Sequence, residues 1–317
     1  MVPDSAGPSR ERRIDAGIAA FNEEDHIGPA IQSLSTQSLP EGVAWGTFWV
    51  VASGCTDRTV ARARHAAPNV VVLEEPRRRG KSAAVATIFA HAGGDDLLLL
   101  DADARARRGA LSVLLGEADR SSAPYAISGR PVLPASFPRD GFAAAVRLSW
   151  EMHHRFQTFA FAAGHGTTLS ENLLLLSGRD LPPMPEGVIN DGSFIAAWMR
   201  SHHGTVRYVP GAEVEIEASP RLAPYIAQRR RVRFGAAQLH DMFGAYPSSI
   251  LASWARVPSV VGSMTRGACR SAGVAPARAW AGLFVAEVAA ASLAIWDRQA
   301  GSTDHVRWVT LPEEPGA

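Results

Sequence analysis

The chain predicts an open α/β fold with a mostly parallel central sheet, and three observations carry that prediction. Short apolar runs, Ile14–Ala20, Phe48–Val51, Val70–Leu73 and Leu97–Leu100, alternate with helical patterns. That order builds a parallel sheet with helices on both faces. Leu97–Leu100 is aliphatic throughout, as a central strand covered on both sides is. Asp101-Ala102-Asp103 then follows at once, placing two carboxylates at the carboxyl end of a buried strand. Open α/β sheets bind their ligands outside that edge.

Each element is read in order. After Ile14–Ala20 comes Phe21-Asn22-Glu23-Glu24, then a helix with Ile27, Ile31 and Leu34 at helical spacing. Phe48–Val51 ends in a turn at Gly54, where Thr56 or Asp57 can cap the next helix. Val70–Leu73 leads to Arg77-Arg78-Arg79-Gly80-Lys81 and a further helix. Beyond the paired acids, Ala126–Val132 reads as a strand, Phe142–Phe161 as a helix, and Glu171–Ser177 as a strand around Leu173–Leu176. Asp191–Arg200 reads as a helix, and Val206–Val209 and Ala212–Glu217 as two short strands.

Two acids one residue apart at a sheet edge can turn oxygens toward one hard divalent cation. A cation there offsets the charge of a departing diphosphate. Composition sets further bounds. A formal net charge of +1 gives no electrostatic reason to expect nucleic acid. Lys81 is the single lysine of an arginine-rich chain. Cys55 and Cys269 stand far apart, without metal-ligand spacing, which suggests a reducing compartment. Gly80-Lys81-Ser82 is not the end of a P-loop, because Glu75 stands where that motif needs glycine. His153-His154 and His202-His203 lack the i, i+4 spacing of helical metal ligands, while His165, between glycines, could reach an acceptor.

Taken together, these residues resemble the family 2 glycosyltransferases. The family's Pro-x-Tyr-Asn-Glu is Ala19-Ala20-Phe21-Asn22-Glu23 here, and its Gly-Ser-Thr-Asp-x-Thr is Gly54-Cys55-Thr56-Asp57-Arg58-Thr59. Its Gly-Lys is Gly80-Lys81, its Asp-x-Asp is Asp101–Asp103, and its acidic pair with the base is Asn190-Asp191. Its Gln-x-x-Arg-Trp is Gln228-Arg229-Arg230-Arg231-Val232, with the tryptophan replaced. The resemblance implies a GT-A type open mixed sheet, mostly parallel with a Rossmann-like N-terminal half, and a C-terminal helical extension. It also implies transfer of a sugar, with inversion, from a nucleotide-diphosphate donor to an acceptor hydroxyl. The donor would meet Ala20, Phe21, Asn22, Glu23, Ser53, Gly54, Gly80, Lys81, Asp101 and Asp103. Asp103 and Asp101 would hold Mg²⁺ or Mn²⁺, and Asp191 would be the catalytic base. Gln228 and Arg231 would line the acceptor or diphosphate side.

Ala52-Ser53 stand where the family has an aspartate for the nucleotide base, so uridine is not implied. Two other readings share the fold: a non-catalytic nucleotide-sugar-binding protein, and a sugar-nucleotide nucleotidyltransferase. The latter lacks its glycine-rich loop after the first strand.

The expected organisation is a disordered arm over 1–12, a catalytic domain over 13–240, a helical extension over 241–300 and a flexible tail over 301–317. Ala281–Trp296 is apolar except for Glu287 and Ser292, too short and too charged to span a bilayer. Phe284, Val288 and Ile295, with Val285 and Trp296 beside them, share one face. That face predicts packing on the catalytic domain, with contact to a membrane surface and a lipid-linked acceptor as the other expectation. With no secretory signal read at the N-terminus, the expected location is the cytoplasm or the inner face of the membrane.

Overall fold

The computed structural model describes residues 10–164, 166, 168–244, 258–273 and 275–302. The chain runs β1 (Arg12–Ala20), α1 (Ile27–Ser35), β2 (Val43–Ser53), α2 (Thr59–Arg64), β3 (Val70–Glu75), α3 (Lys81–His91) and β4 (Asp96–Leu100). It continues with β5 (Ala104–Ala106), α4 (Ala110–Ala118), β6 (Tyr125–Val132), α5 (Ala143–Ala162), β7 (Leu173–Ser177), α6 (Asp191–Ser201) and β8 (Thr205–Ile216). Three helices follow: α7 (Leu222–Phe243), α8 (Pro258–Ala272) and α9 (Pro276–Gln299).

The eight strands form one sheet in the order β3-β2-β1-β4-β7-β6-β8-β5. The first four are mutually parallel, and β7 enters antiparallel to β4. From β1 the chain moves outward on one side to β2, while β4 opens the other side. The carboxyl ends of β1 and β4 therefore flank the switch point, where such sheets leave a crevice. β5 begins shortly after β4 yet pairs with the far end of β8, so the sheet curls.

Strand β4 is buried at every position, and its leucines alternate between two cores. Leu98 and Leu100 join Ile27, Ile31 and Leu34 of α1 and Leu111, Leu114 and Leu115 of α4. Leu97 and Leu99 join Val85 and Ile88 of α3 and Phe194, Ile195 and Met199 of α6. Asp15 interrupts the apolar run of β1 for a reason. Its Oδ1 accepts from the Thr47 N–H at 2.9 Å, and its Oδ2 from the N–H groups of Gly93 and Gly94 at 2.9 and 3.1 Å. These donors satisfy the buried Asp15 carboxylate and tie the base of the sheet together.

Several expectations shift. β2 begins five residues before Phe48. The two short strands after α6 are one strand, bulged where its register against β6 jumps. β5, α4 and α7 were not foreseen, while α8 and α9 fall within the expected helical extension. Arg12 already lies in β1, within the expected arm, and ion-pairs with Asp96 at 2.5 Å. The expected boundary at residue 240 falls inside α7. The helical extension shares a third core with the catalytic sheet's own helix α5, through Leu148, Met152, Tyr225, Ala268, Leu283 and Ala286. Residues 1–9 of the arm and 303–317 of the tail lie outside the described residues, as does His165.

Candidate functional site

The loops at the carboxyl ends of β1, β2, β3 and β4 are stitched into one wall. Asn22 accepts from the Thr56 N–H at 2.9 Å, and Asp57 accepts from the N–H groups of Glu24 and Thr59 at 3.1 and 3.0 Å. Asp57, rather than Thr56, thus holds the start of α2. Gly54 turns the chain with φ +71, and a Cβ there would sit 2.6 Å from the Arg78 nitrogen. Only glycine allows that turn to lie against the arginine loop. Ser53 donates to Glu75 Oε2 at 2.5 Å and accepts from the Arg79 N–H at 3.2 Å. Its hydroxyl is thereby committed to the wall.

A cleft opens above this wall, lined by Ala20, Phe21, Glu23, Ser53, Arg78, Gly80, Lys81, Asp101 and Asp103, among others. Eight of the ten residues expected to meet a donor line it; Asn22 and Gly54 stand behind, shaping its wall. Arg78, foreseen only as part of a charge run, lies 3.7 Å above the Phe21 ring. Arg79 turns away to Glu75 and Glu186. The flat arginine-on-aromatic platform suits a planar group.

At the floor, Lys81 Nζ meets carboxylates from three elements: Asp101 Oδ1 at 2.7 Å, Glu171 Oε2 at 3.0 Å and Asp191 Oδ2 at 3.3 Å. Burial works against the Lys81 charge, but Asp101, Asp191 and Glu171 outweigh it and raise its pKa well above the usual lysine value. Asp101 Oδ2 also accepts from Asn172 Nδ2 at 2.8 Å, so both its oxygens are engaged. Asp103 differs. Burial, with the charges of Asp101 and Glu23, pushes its carboxyl up to about 7. Three carboxylates facing one another in a partly buried place are the donor chemistry of a hard divalent cation. Asp103 is the member of the Asp-x-Asp turn most available to one. Among the described residues, no three His, Cys, Asp or Glu side chains already stand in a metal-ligating arrangement.

Asp191 opens α6 and is 3% exposed. It is not a cap: the Ncap residue, Asn190, makes no side-chain cap bond and gives its Nδ2 to the Val232 carbonyl at 2.8 Å. Asp191 Oδ1 accepts no N–H or O–H from the described residues. Burial alone would raise its pKa, but the Lys81 charge, with Arg231 further off, brings the carboxyl below the usual aspartate range. Glu171 moves the other way: burial first, then the Asp191 charge, push it well above the usual glutamate range. The two therefore divide their roles, one staying ionised and one tending to hold a proton. Gly192 makes the contact possible, since a Cβ there would sit 2.7 Å from Glu171 Cγ and 2.8 Å from the Leu169 carbonyl.

Arg231 on α7 reaches this group, feeling the charges of Glu171, Asp191 and Asp101. Gln228, one turn earlier, is exposed and is not among the side chains that meet Asp191. Glu171 is the residue that sequence reasoning missed. A lone glutamate ahead of an apolar strand has no spacing signal, and only the strand pairing of β7 with β4 sets it beside Lys81.

Residues 15–169 match the family model of Glycosyl transferase family 2. The fold is similar to that of the mannosyltransferase PcManGT from Pyrobaculum calidifontis, in complex with GDP-Man and Mn²⁺. That match has a TM-score of 0.59 at 21% identity and covers 92% of this chain and 88% of that one. Glucosyl-3-phosphoglycerate synthase from Mycobacterium tuberculosis, in complex with Mn²⁺, UDP and phosphoglyceric acid, gives a TM-score of 0.52 at 20% identity, covering 75% and 80%. No curated protein matches the sequence. Residues 15–169, just under half of the chain, carry the similarity to glycosyl transferase family 2, and the Phe21-Asn22-Glu23, Gly54–Thr59, Gly80-Lys81 and Asp101–Asp103 motifs lie within them.

Proposed function

We propose that this protein transfers a glycosyl group, with inversion, from a nucleotide-diphosphate sugar to an acceptor hydroxyl. The observation that carries the reading is Asp191: a buried, ionised carboxylate whose Oδ1 has no hydrogen-bond partner among the described residues, joined to the Asp101–Asp103 turn through Lys81. In the proposed step Asp191 takes the acceptor's proton as the acceptor oxygen attacks the anomeric carbon. The bond from that carbon to the diphosphate oxygen breaks, and the electron pair leaves with the diphosphate. Lys81 and Arg231 hold positive charge beside the leaving group. The acidic turn suits Mg²⁺ or Mn²⁺, with Asp103 as ligand and Asp101 oriented by Lys81 and Asn172. When bound, such a cation neutralises diphosphate charge.

The similar structures named above were determined with GDP-Man or with UDP. Neither base is singled out here, because the Ser53 hydroxyl is taken by Glu75. The Arg78–Phe21 platform supports a purine or a pyrimidine by stacking. The test is a panel of nucleotide-diphosphate sugars with Mn²⁺ or Mg²⁺, reading release of nucleoside diphosphate. Release with one donor is expected. Binding without release favours the non-catalytic reading, pyrophosphate exchange favours the nucleotidyltransferase, and no binding to any donor overturns the proposal.

A further inference from the structure

We propose that the outer face of α9 docks on an anionic lipid bilayer, with the helix lying in the plane of the membrane surface. The helix is inside out for a soluble protein. Its inward face is small and carries charge: Ala279, Ala286, Ala290 and Ala294 are 0–4% exposed. On that side Glu287 pairs with Arg229 at 2.6 Å and with Arg233, and Asp297 pairs with Arg230. Its outward face carries the large apolar side chains. Phe284, Val285, Val288, Ile295 and Trp296 are 49–68% exposed. Water-soluble helices bury the large apolar stripe and expose the charges, so this face is built for a different neighbour. Within Ala277–Gln299 an 18-residue window has mean hydropathy 1.6, and only 28% of that window is buried.

Charge and geometry select the neighbour. From Arg221 to Ser302 the chain has ten arginines against three carboxylates, although the whole chain is only +1. Two of those three carboxylates, Glu287 and Asp297, are turned inward. Arg278 stands two helical turns before Val285 on the same face, and it is exposed, as are Arg266 and Arg270 of α8. An exposed apolar stripe with Arg278 at one end and Trp296 at the other matches the chemistry of the headgroup region of an anionic membrane. A second copy of this chain would oppose cationic rim to cationic rim. The helix is longer than the sequence suggested and by length and composition is able to cross a bilayer, but pulling it into the hydrocarbon would drag in Glu287 and Asp297 with their arginine partners, which favours a helix lying in the surface. The surface is separate from the cleft, and the proposal does not depend on the transfer reaction.

Flotation of the purified protein with vesicles tests it. We expect flotation with phosphatidylcholine vesicles containing phosphatidylglycerol, weakened by salt, and little with phosphatidylcholine alone. Combined Phe284→Ser, Val288→Ser, Ile295→Ser and Trp296→Ser should lower binding by about tenfold or more with an unchanged circular dichroism spectrum. Arg278→Glu, at an exposed position, should lower binding to the anionic vesicles on its own, which keeps the test intact if the fourfold variant misfolds. Failure to float with either vesicle overturns the proposal. So does a dimer in solution that dissociates with the same four substitutions.

Discussion

At Lys81 three carboxylates from three separate elements converge, and their opposed demands fix what substitutions there should do. Lys81→Met leaves Asp101, Glu171 and Asp191 facing one another without a cation. Removing one partner of a buried ionic cluster costs about 3–5 kcal/mol, so the midpoint of urea unfolding should fall clearly, and donor turnover with it. Asp191→Asn tests the chemistry apart from the fold. It keeps the shape beside Gly192 but cannot take a proton, so donor affinity should persist while kcat falls by roughly 10² to 10⁴. A variant that loses only melting temperature would return Asp191 to a structural role. Asp191 and Lys81 were legible in the sequence because each sits in a short pattern at the mouth of an element. Glu171 was not, because its place beside Lys81 comes from the pairing of β7 with β4 and from the close approach that Gly192 permits, and neither leaves a periodic trace.

At the scale of the element, legibility followed local apolar pattern. β3, β4 and β7 hold aliphatic runs and β1 a mostly apolar one, and their approximate positions follow from that pattern alone, even for β3, which has no fully buried residue. β5 is three residues long and exists as a strand only through pairing with β8, so nothing local announces it. The long α7 escaped for a related reason: its arginines are spent on Glu287 and Asp297 of α9, and a basic run without that partner reads as solvated surface. Two predictions belong here. Asp15→Ala removes the acceptor for the N–H groups of Thr47, Gly93 and Gly94, which are half-buried or exposed and can partly turn to water; denaturant titration should show a loss of about 1–3 kcal/mol. The second concerns α5. Burial, with neighbouring cationic charge, lowers His153 and His154 to about 4. Unfolded, both take up protons below the ordinary histidine value near 6.5, while the folded chain resists until about 4. Stability on their account is therefore complete above about pH 6.5 and declines as pH falls toward 4. Urea midpoints measured across that interval should decline, and His153→Phe should flatten the decline.

For the whole molecule, the open α/β class and the position of its ligand edge were readable because one buried strand ends in two acids, and topology dictates where that end must lie. How far the catalytic body extends was not readable, since α8 and α9 look like an appendage until their alanines are seen packed on α5. The cleft at the sheet edge makes a global prediction. A ligand that binds only the folded chain stabilises it by RT ln(1 + [L]/Kd), about 2.7 kcal/mol at one hundred times Kd. Because the donor cleft is walled by loops from β1, β2, β3 and β4, its occupation should raise the melting transition of the sheet as a unit. We expect a rise with the correct nucleoside diphosphate and Mn²⁺ together, and a much smaller one with either alone, since Asp103, Asp101 and Glu23 repel a diphosphate that arrives without a cation. Asp103→Asn relieves that repulsion and should itself leave the unliganded melting temperature unchanged or higher, while cancelling the Mn²⁺-dependent increment. An increment that survives in Asp103→Asn would move the cation away from the Asp-x-Asp turn, and with it the place where the diphosphate leaves.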